Sequence, residues 1–256
     1  MIQLTLWLAT LSTFAAGAMY YKRPESKRSQ LLGAASIAAH VYALSILFLN
    51  KDGFDFLLIG MLIALIGNTL LWFSNRNKDL SLLLCVAYPL AAIVIALNAI
   101  EPWQLEPFHI HSFGTSAHIL IAAVAYSLFT AACGIGILLA LQEYQLKHHK
   151  LRQLLRVPQL QVLERLMFEF IWMAFILLTI TIVTGFYFID DMFAQKLVHK
   201  TFFTLCSWVV FLGLLLGRHW AGWRGQLSVK LTISGFILLM LGYFGSSIVL
   251  QFIISK

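Results

Sequence analysis

Charged residues are scarce in this chain. Only 11% of its 256 residues are Asp, Glu, Lys or Arg, whereas 60% are hydrophobic, which is far from the composition of a soluble protein. None of these charged residues lies near the middle of a long apolar stretch. Ion-coupled transporters and proton pumps usually need a carboxylate at that depth, so its absence argues against both. Asn68 is a polar residue within an apolar stretch, and we interpret it as a helix–helix hydrogen-bond donor or acceptor.

Cysteine is also scarce. Cys85, Cys133 and Cys206 are isolated, and no CxxC motif occurs. The sequence therefore supports neither a thiol relay nor a disulfide framework, and we interpret the three residues as small packing residues. It also has no glycine-rich phosphate loop and no convergent nucleophile, base and acid. An enzyme of the hydrolase or phosphoryl-transfer kind is therefore not expected.

Long apolar stretches are abundant instead. Eight of them begin near residues 3, 30, 55, 80, 116, 167, 198 and 231. A helix rises about 1.5 Å per residue, so about 20 apolar residues cross the roughly 30 Å of hydrocarbon in a bilayer. The pattern predicts an all-α, polytopic membrane helix bundle with about eight transmembrane helices, forming a single integral membrane domain over residues 1–256. No strict internal sequence repeat is visible.

Basic residues alternate between the two sides of this predicted bundle. One set of alternate loops carries 14 of the 18 lysines and arginines, and the other side carries Lys51, Lys196, Lys200 and Lys256. Cytoplasmic loops hold the excess of Lys and Arg, so the protein is predicted to be N-out and C-out. The net charge of +7 is then explained by membrane topology. We expect membrane lipid as a partner and no nucleic acid.

The eight histidines are the remaining candidates for chemistry. His118 and His199 open spans 5 and 7 at the same predicted outer depth, so they could give two axial nitrogens to one haem iron. His40 lies about 15 Å deeper by helix rise and needs its own partner or a tilted arrangement. His109 and His111 could join a bare metal site, although no compact ligand spacing appears. The alternative for each histidine is an interfacial hydrogen bond.

Three segments of the second half resemble a known family. They are HILIAAVAYSLFTAACGIGILLALQEYQLK at 118–147, LERLMFEFIWMAFILLTITIVTGFYF at 163–188 and GWRGQLSVKLTISGFILLMLGYFGS at 222–246. These segments resemble the cytochrome c assembly (CcsA/CcmC-like) membrane protein family, in particular its YpjD/HemX-like branch. The resemblance covers residues 116–247.

The resemblance implies a haem-binding or haem-handling protein of the bacterial inner (cytoplasmic) membrane, associated with cytochrome c biogenesis. It implies that His118 is an axial haem ligand on the outer face. The family's tryptophan-rich outer loop is not matched by DDMFAQK between spans 6 and 7, so full synthase activity is not expected. The HemX-like branch implies an alternative, a non-catalytic regulator or scaffold for tetrapyrrole-synthesis proteins acting through the basic segment 142–166. A small-molecule transporter is a further alternative.

Overall fold

The described residues fold almost entirely as α-helices. The computed structural model describes residues 2–24, 26–50, 55–100, 113–148, 158–188 and 198–245. The helices are α1 Ile2–Lys22, α2 Lys27–Asn50, α3 Phe56–Lys78, α4 Ser81–Ile100, α5 Phe113–Lys147, α6 Leu160–Phe188, α7 Val198–Ala221 and α8 Gln226–Met240, followed by a π-helical turn Leu241–Gly245. The described part of the chain contains no strand, and all eight helices are long and apolar enough to cross a membrane. The predicted all-α polytopic bundle is confirmed, whereas its orientation stays a prediction.

Two helices are longer than a bilayer requires. α5 has 35 residues and α6 has 29, compared with the about 20 that cross the hydrocarbon. α6 begins at Leu160, before the apolar stretch that starts near residue 167, because its polar first turns are also helical. Arg165 and Glu169 support those turns with an i,i+4 ion pair of 2.9 Å.

The first four helices form one compact unit. Each packs on its sequence neighbours, and α1 also packs on α4. Gly17 of α1 permits this last contact, because a Cβ there would lie 2.5 Å from Cδ of Pro89 in α4. The apolar core at one end of the unit consists of Leu6, Ala9, Ala43, Leu47, Leu58, Met61, Ile95 and Ala99.

The last four helices form a second compact unit with the same order of neighbours. Phe129 of α5 stacks on Phe211 of α7, with ring centroids 4.1 Å apart. Phe211 in turn covers Gly235 of α8, where a Cβ would lie 2.8 Å from the ring. Both units are therefore up-and-down rings of four helices. No internal repeat is visible in the sequence, because the two rings are closed by different residues.

The turn between α7 and α8 is held by an aromatic side chain. The ring of Trp223 lies where a Cβ on Gly217 would be, and the Trp223 amide donates to the Gly217 carbonyl oxygen at 3.2 Å. Gly222 and Gly225 flank this tryptophan with φ angles of 63° and 60°, which disfavour side chains. The turn therefore returns the chain sharply into α8.

Candidate functional site

His118 lies in the second turn of α5, on the face that packs inside the second unit. Ala125 and Ala132 follow at spacings of seven residues, which keep one face of a helix, and both are 0% exposed. His118 itself is partly buried because it lies near the end of the helix. The α5 backbone therefore directs this imidazole toward the neighbouring helices of its own unit.

A threonine of α6 orients this imidazole. His118 Nδ1 lies 3.0 Å from Oγ1 of Thr184, and the ring lies close to the backbone of Thr181. The Thr184 hydroxyl also lies within donating distance of two carbonyl oxygens of its own helix, those of Ile180 at 2.8 Å and Thr181 at 3.1 Å. In the tautomer with the ring proton on Nδ1, His118 donates to Thr184 Oγ1 and the threonine donates to its own backbone. The lone pair of the neutral imidazole is then on Nε2.

The contact with Thr184 is of the kind that orients metal-ligating histidines. Such histidines typically donate one ring N–H to a fixed acceptor, which sets the orientation of the ring and the tautomer. No group of three His, Cys, Asp or Glu side chains that could hold a metal occurs within the described residues. A zinc site needs three or four protein ligands, whereas haem supplies four nitrogens itself and needs only axial ligands. The donor set around His118 therefore fits haem better than a bare ion.

The predicted partners of His118 are only partly placed. His199 lies in the first turn of α7, which begins at the same end of the second unit as α5 because neighbouring helices alternate in direction. The side chain of His199, together with His109 and His111, lies outside the described residues. The axial pairing of His118 with His199 stays a prediction. The regulator alternative also stays a prediction, since residues 149–157 of the basic segment lie outside the described part.

His40 is placed elsewhere, inside the first unit. It is 1% exposed and lies close to the backbone of Met61 in α3. The structure thus assigns His118 and His199 to the helices of one unit and His40 to the other. Its role as a haem ligand remains a prediction.

Sequence reasoning missed Thr184 and the role of Tyr126. The Tyr126 hydroxyl lies 3.5 Å from the Leu239 carbonyl oxygen, and its ring lies 5.7 Å from that of Tyr243, which links α5 to the end of α8. Thr184 was not recognisable, because threonines in membrane helices commonly bond their own backbone, as Thr179 and Thr181 do here. Only the packing of α6 on α5, which brings Thr184 next to His118, distinguishes Thr184 from Thr179 and Thr181.

Comparison with known proteins identifies the family. The family model described as Cytochrome C assembly protein matches residues 1–254, nearly the whole chain. The chain belongs to the cytochrome c assembly protein family. This confirms the predicted resemblance and extends the match beyond residues 116–247 into the first four helices.

Family relatives include Inner membrane protein YpjD of Escherichia coli strain K12, which is 30% identical over 233 residues, or 89% of this chain and 88% of that protein. The same protein from Escherichia coli O157:H7 matches equally. An Azospirillum brasilense protein, described as an uncharacterized 28.8 kDa protein in the nifR3-like 5′ region, is 29% identical over 131 residues, or 50% of this chain and 48% of that protein. No solved structure matches. This member of the family is a multi-pass inner membrane protein.

Proposed function

We propose that this protein holds haem through Nε2 of His118, at the outer end of its second unit, as part of cytochrome c assembly. The observation that carries the proposal is the bond between His118 Nδ1 and Thr184, because it presents Nε2 as the ligand atom. Membership of the cytochrome c assembly protein family supports haem as the group that is bound.

Each residue has a separate task in this proposal. His118 would ligate the iron through Nε2, and Thr184 would hold the ring in the tautomer that leaves Nε2 free. His199, on α7 of the same unit, is the candidate for the second ligand. Haem itself would supply an iron centre able to change oxidation state.

A direct test is the absorbance of the purified protein after hemin is added. The wild type is expected to show a Soret band that His118→Ala loses or shifts, because an axial ligand is removed. His219→Ala is the matched control, since His219 is an exposed histidine in the last turn of α7. A colourless wild type, or the same spectrum for His118→Ala, would contradict the proposal.

His199→Ala tests the pairing separately. If His199 is the second ligand, the variant keeps haem but changes from a six-coordinate to a five-coordinate spectrum. An unchanged spectrum would assign the second position to another group and leave the role of His118 intact.

A further inference from the structure

The interior of the first unit contains polar atoms that no described residue satisfies. They include His40 Nε2, Asn68 Nδ2 and the hydroxyl oxygen of Tyr88. These three side chains are 1%, 4% and 0% exposed, so lipid headgroups and bulk water do not reach them through the described surface. The amide nitrogen of Asn68 thus has no partner among the described residues. Buried polar groups in a membrane bundle normally find partners inside it.

Two tyrosines converge at one end of this interior. The rings of Tyr20 and Tyr88 stack with centroids 5.7 Å apart and an interplanar angle of 7°. Both hydroxyl oxygens lie over Gly33 of α2, since a Cβ there would be 3.0 Å from the first and 2.9 Å from the second. Trp72 borders the same place but donates its Nε1–H to the Gln30 carbonyl oxygen at 3.3 Å.

The helix register places the remaining polar groups in a column. Gly33, Ser36 and His40 share the buried stripe of α2, so His40 lies about 10 Å from Gly33 along the helix. Between them, Ser36 donates to Thr13 of α1 at 3.1 Å. On α3, Asn68 lies between Met61, which contacts His40, and Trp72, which borders Gly33. The unsatisfied atoms therefore follow one another along the unit.

We propose that the first unit binds a short chain of water molecules in its interior, between the Tyr20–Tyr88 pair and His40. Water suits the site because it both donates and accepts, as the amide nitrogen, phenol and imidazole require. The side chains that form the column carry no Asp, Glu, Lys or Arg, so a neutral ligand is favoured over an ion. This proposal does not depend on haem binding at His118.

Stability measurements separate a hydrated interior from a dry one. Tyr88→Phe and Asn68→Leu each remove an unsatisfied group, so a dry interior would be stabilised by both changes. In a hydrated interior each change removes a hydrogen bond to water, and we expect the unfolding temperature to fall by about 2–4 °C. Tyr42→Phe is the control, because Tyr42 lies on the exposed face of α2 and is 62% exposed. An unchanged or raised unfolding temperature in both interior variants would overturn the proposal.

A second measurement uses the wild-type protein and does not depend on how variants fold. X-ray pulses generate hydroxyl radicals from bound water, and mass spectrometry locates the modified side chains. In lipid nanodiscs, Tyr20 and Tyr88 are expected to be modified several-fold faster than Tyr126, a tyrosine of the second unit whose hydroxyl faces the Leu239 carbonyl oxygen. Equal rates for Tyr88 and Tyr126 would show that the first unit is dry.

Discussion

Replacing Thr184 by valine tests whether this residue positions the candidate haem ligand. The two side chains have similar shapes, so the substitution removes the acceptor for His118 Nδ1–H with little change in packing between α5 and α6. The imidazole keeps its place on α5 but loses the bond that fixes its tautomer and orientation. We therefore expect haem to bind more weakly while the axial nitrogen remains available.

The size of the effect follows from the kind of contact that is lost. Removing an outer-shell partner of a metal-ligating histidine typically lowers affinity by about 10- to 100-fold. That loss corresponds to about 1.4–2.7 kcal/mol of binding free energy. The assay is hemin loss from the protein in nanodiscs to excess apomyoglobin, followed in the Soret region. Thr184→Val is expected to retain a Soret band and release hemin faster, whereas His118→Ala changes the band itself.

Two variants control this experiment. Thr184→Ser keeps the hydroxyl oxygen and is expected to bind haem almost like the wild type. Thr130→Val makes the same chemical change on the exposed face of α5, where the hydroxyl bonds only the Tyr126 carbonyl oxygen. If Thr184→Val and Thr130→Val release hemin at the same rate as the wild type, Thr184 does not position the ligand and the tautomer argument is wrong.

Three further predictions concern the bundle. Gly217→Ala places a methyl group against the Trp223 ring in the α7–α8 turn, and we expect it to lower the free energy of unfolding by about 1–3 kcal/mol. Gly213→Ala is the control, because a methyl group there meets open space, and it should be neutral or stabilising in the same denaturation assay. Glu164→Gln weakens the partly buried 2.7 Å ion pair with Arg218, and we expect the free energy of unfolding to fall by about 1–2 kcal/mol. A double-mutant cycle on the exposed pair Arg165–Glu169 of α6 should find little coupling energy. Lys22→Cys should react with a membrane-impermeant maleimide in inside-out vesicles but not in spheroplasts, and the opposite labelling would reverse the predicted N-out orientation.

The membrane class of this protein could be read from the sequence because hydropathy depends on composition along the chain. Each of the eight predicted apolar stretches corresponds to a helix, although α6 begins earlier than its stretch. The family could also be recognised, since the quoted segments keep their order and spacing. Orientation was inferred from the positions of Lys and Arg, and it remains to be measured.

The candidate site was only partly predictable. His118 could be proposed from the sequence, because a histidine opening an apolar helix is conspicuous and the resemblance pointed to it, and its role stays a prediction. Its partner Thr184 could not be, since contacts between helices depend on how each helix is rotated and aligned against the next. The same holds for His40, whose depth was apparent but whose burial beside Met61 of α3 was not.

The eight membrane-spanning helices follow from local composition, because about 20 apolar residues in a row are stable as a helix in hydrocarbon whatever their neighbours are. The closing of the helices into two rings of four, the contact of Thr184 with His118 and the unsatisfied polar atoms inside the first ring depend on packing between helices. Lipid gives helices no hydrophobic reason to associate, so their partners are selected by close fits such as Gly17 on Pro89 and Gly235 on Phe211. Those fits join residues far apart in the chain, and a one-dimensional pattern does not contain them.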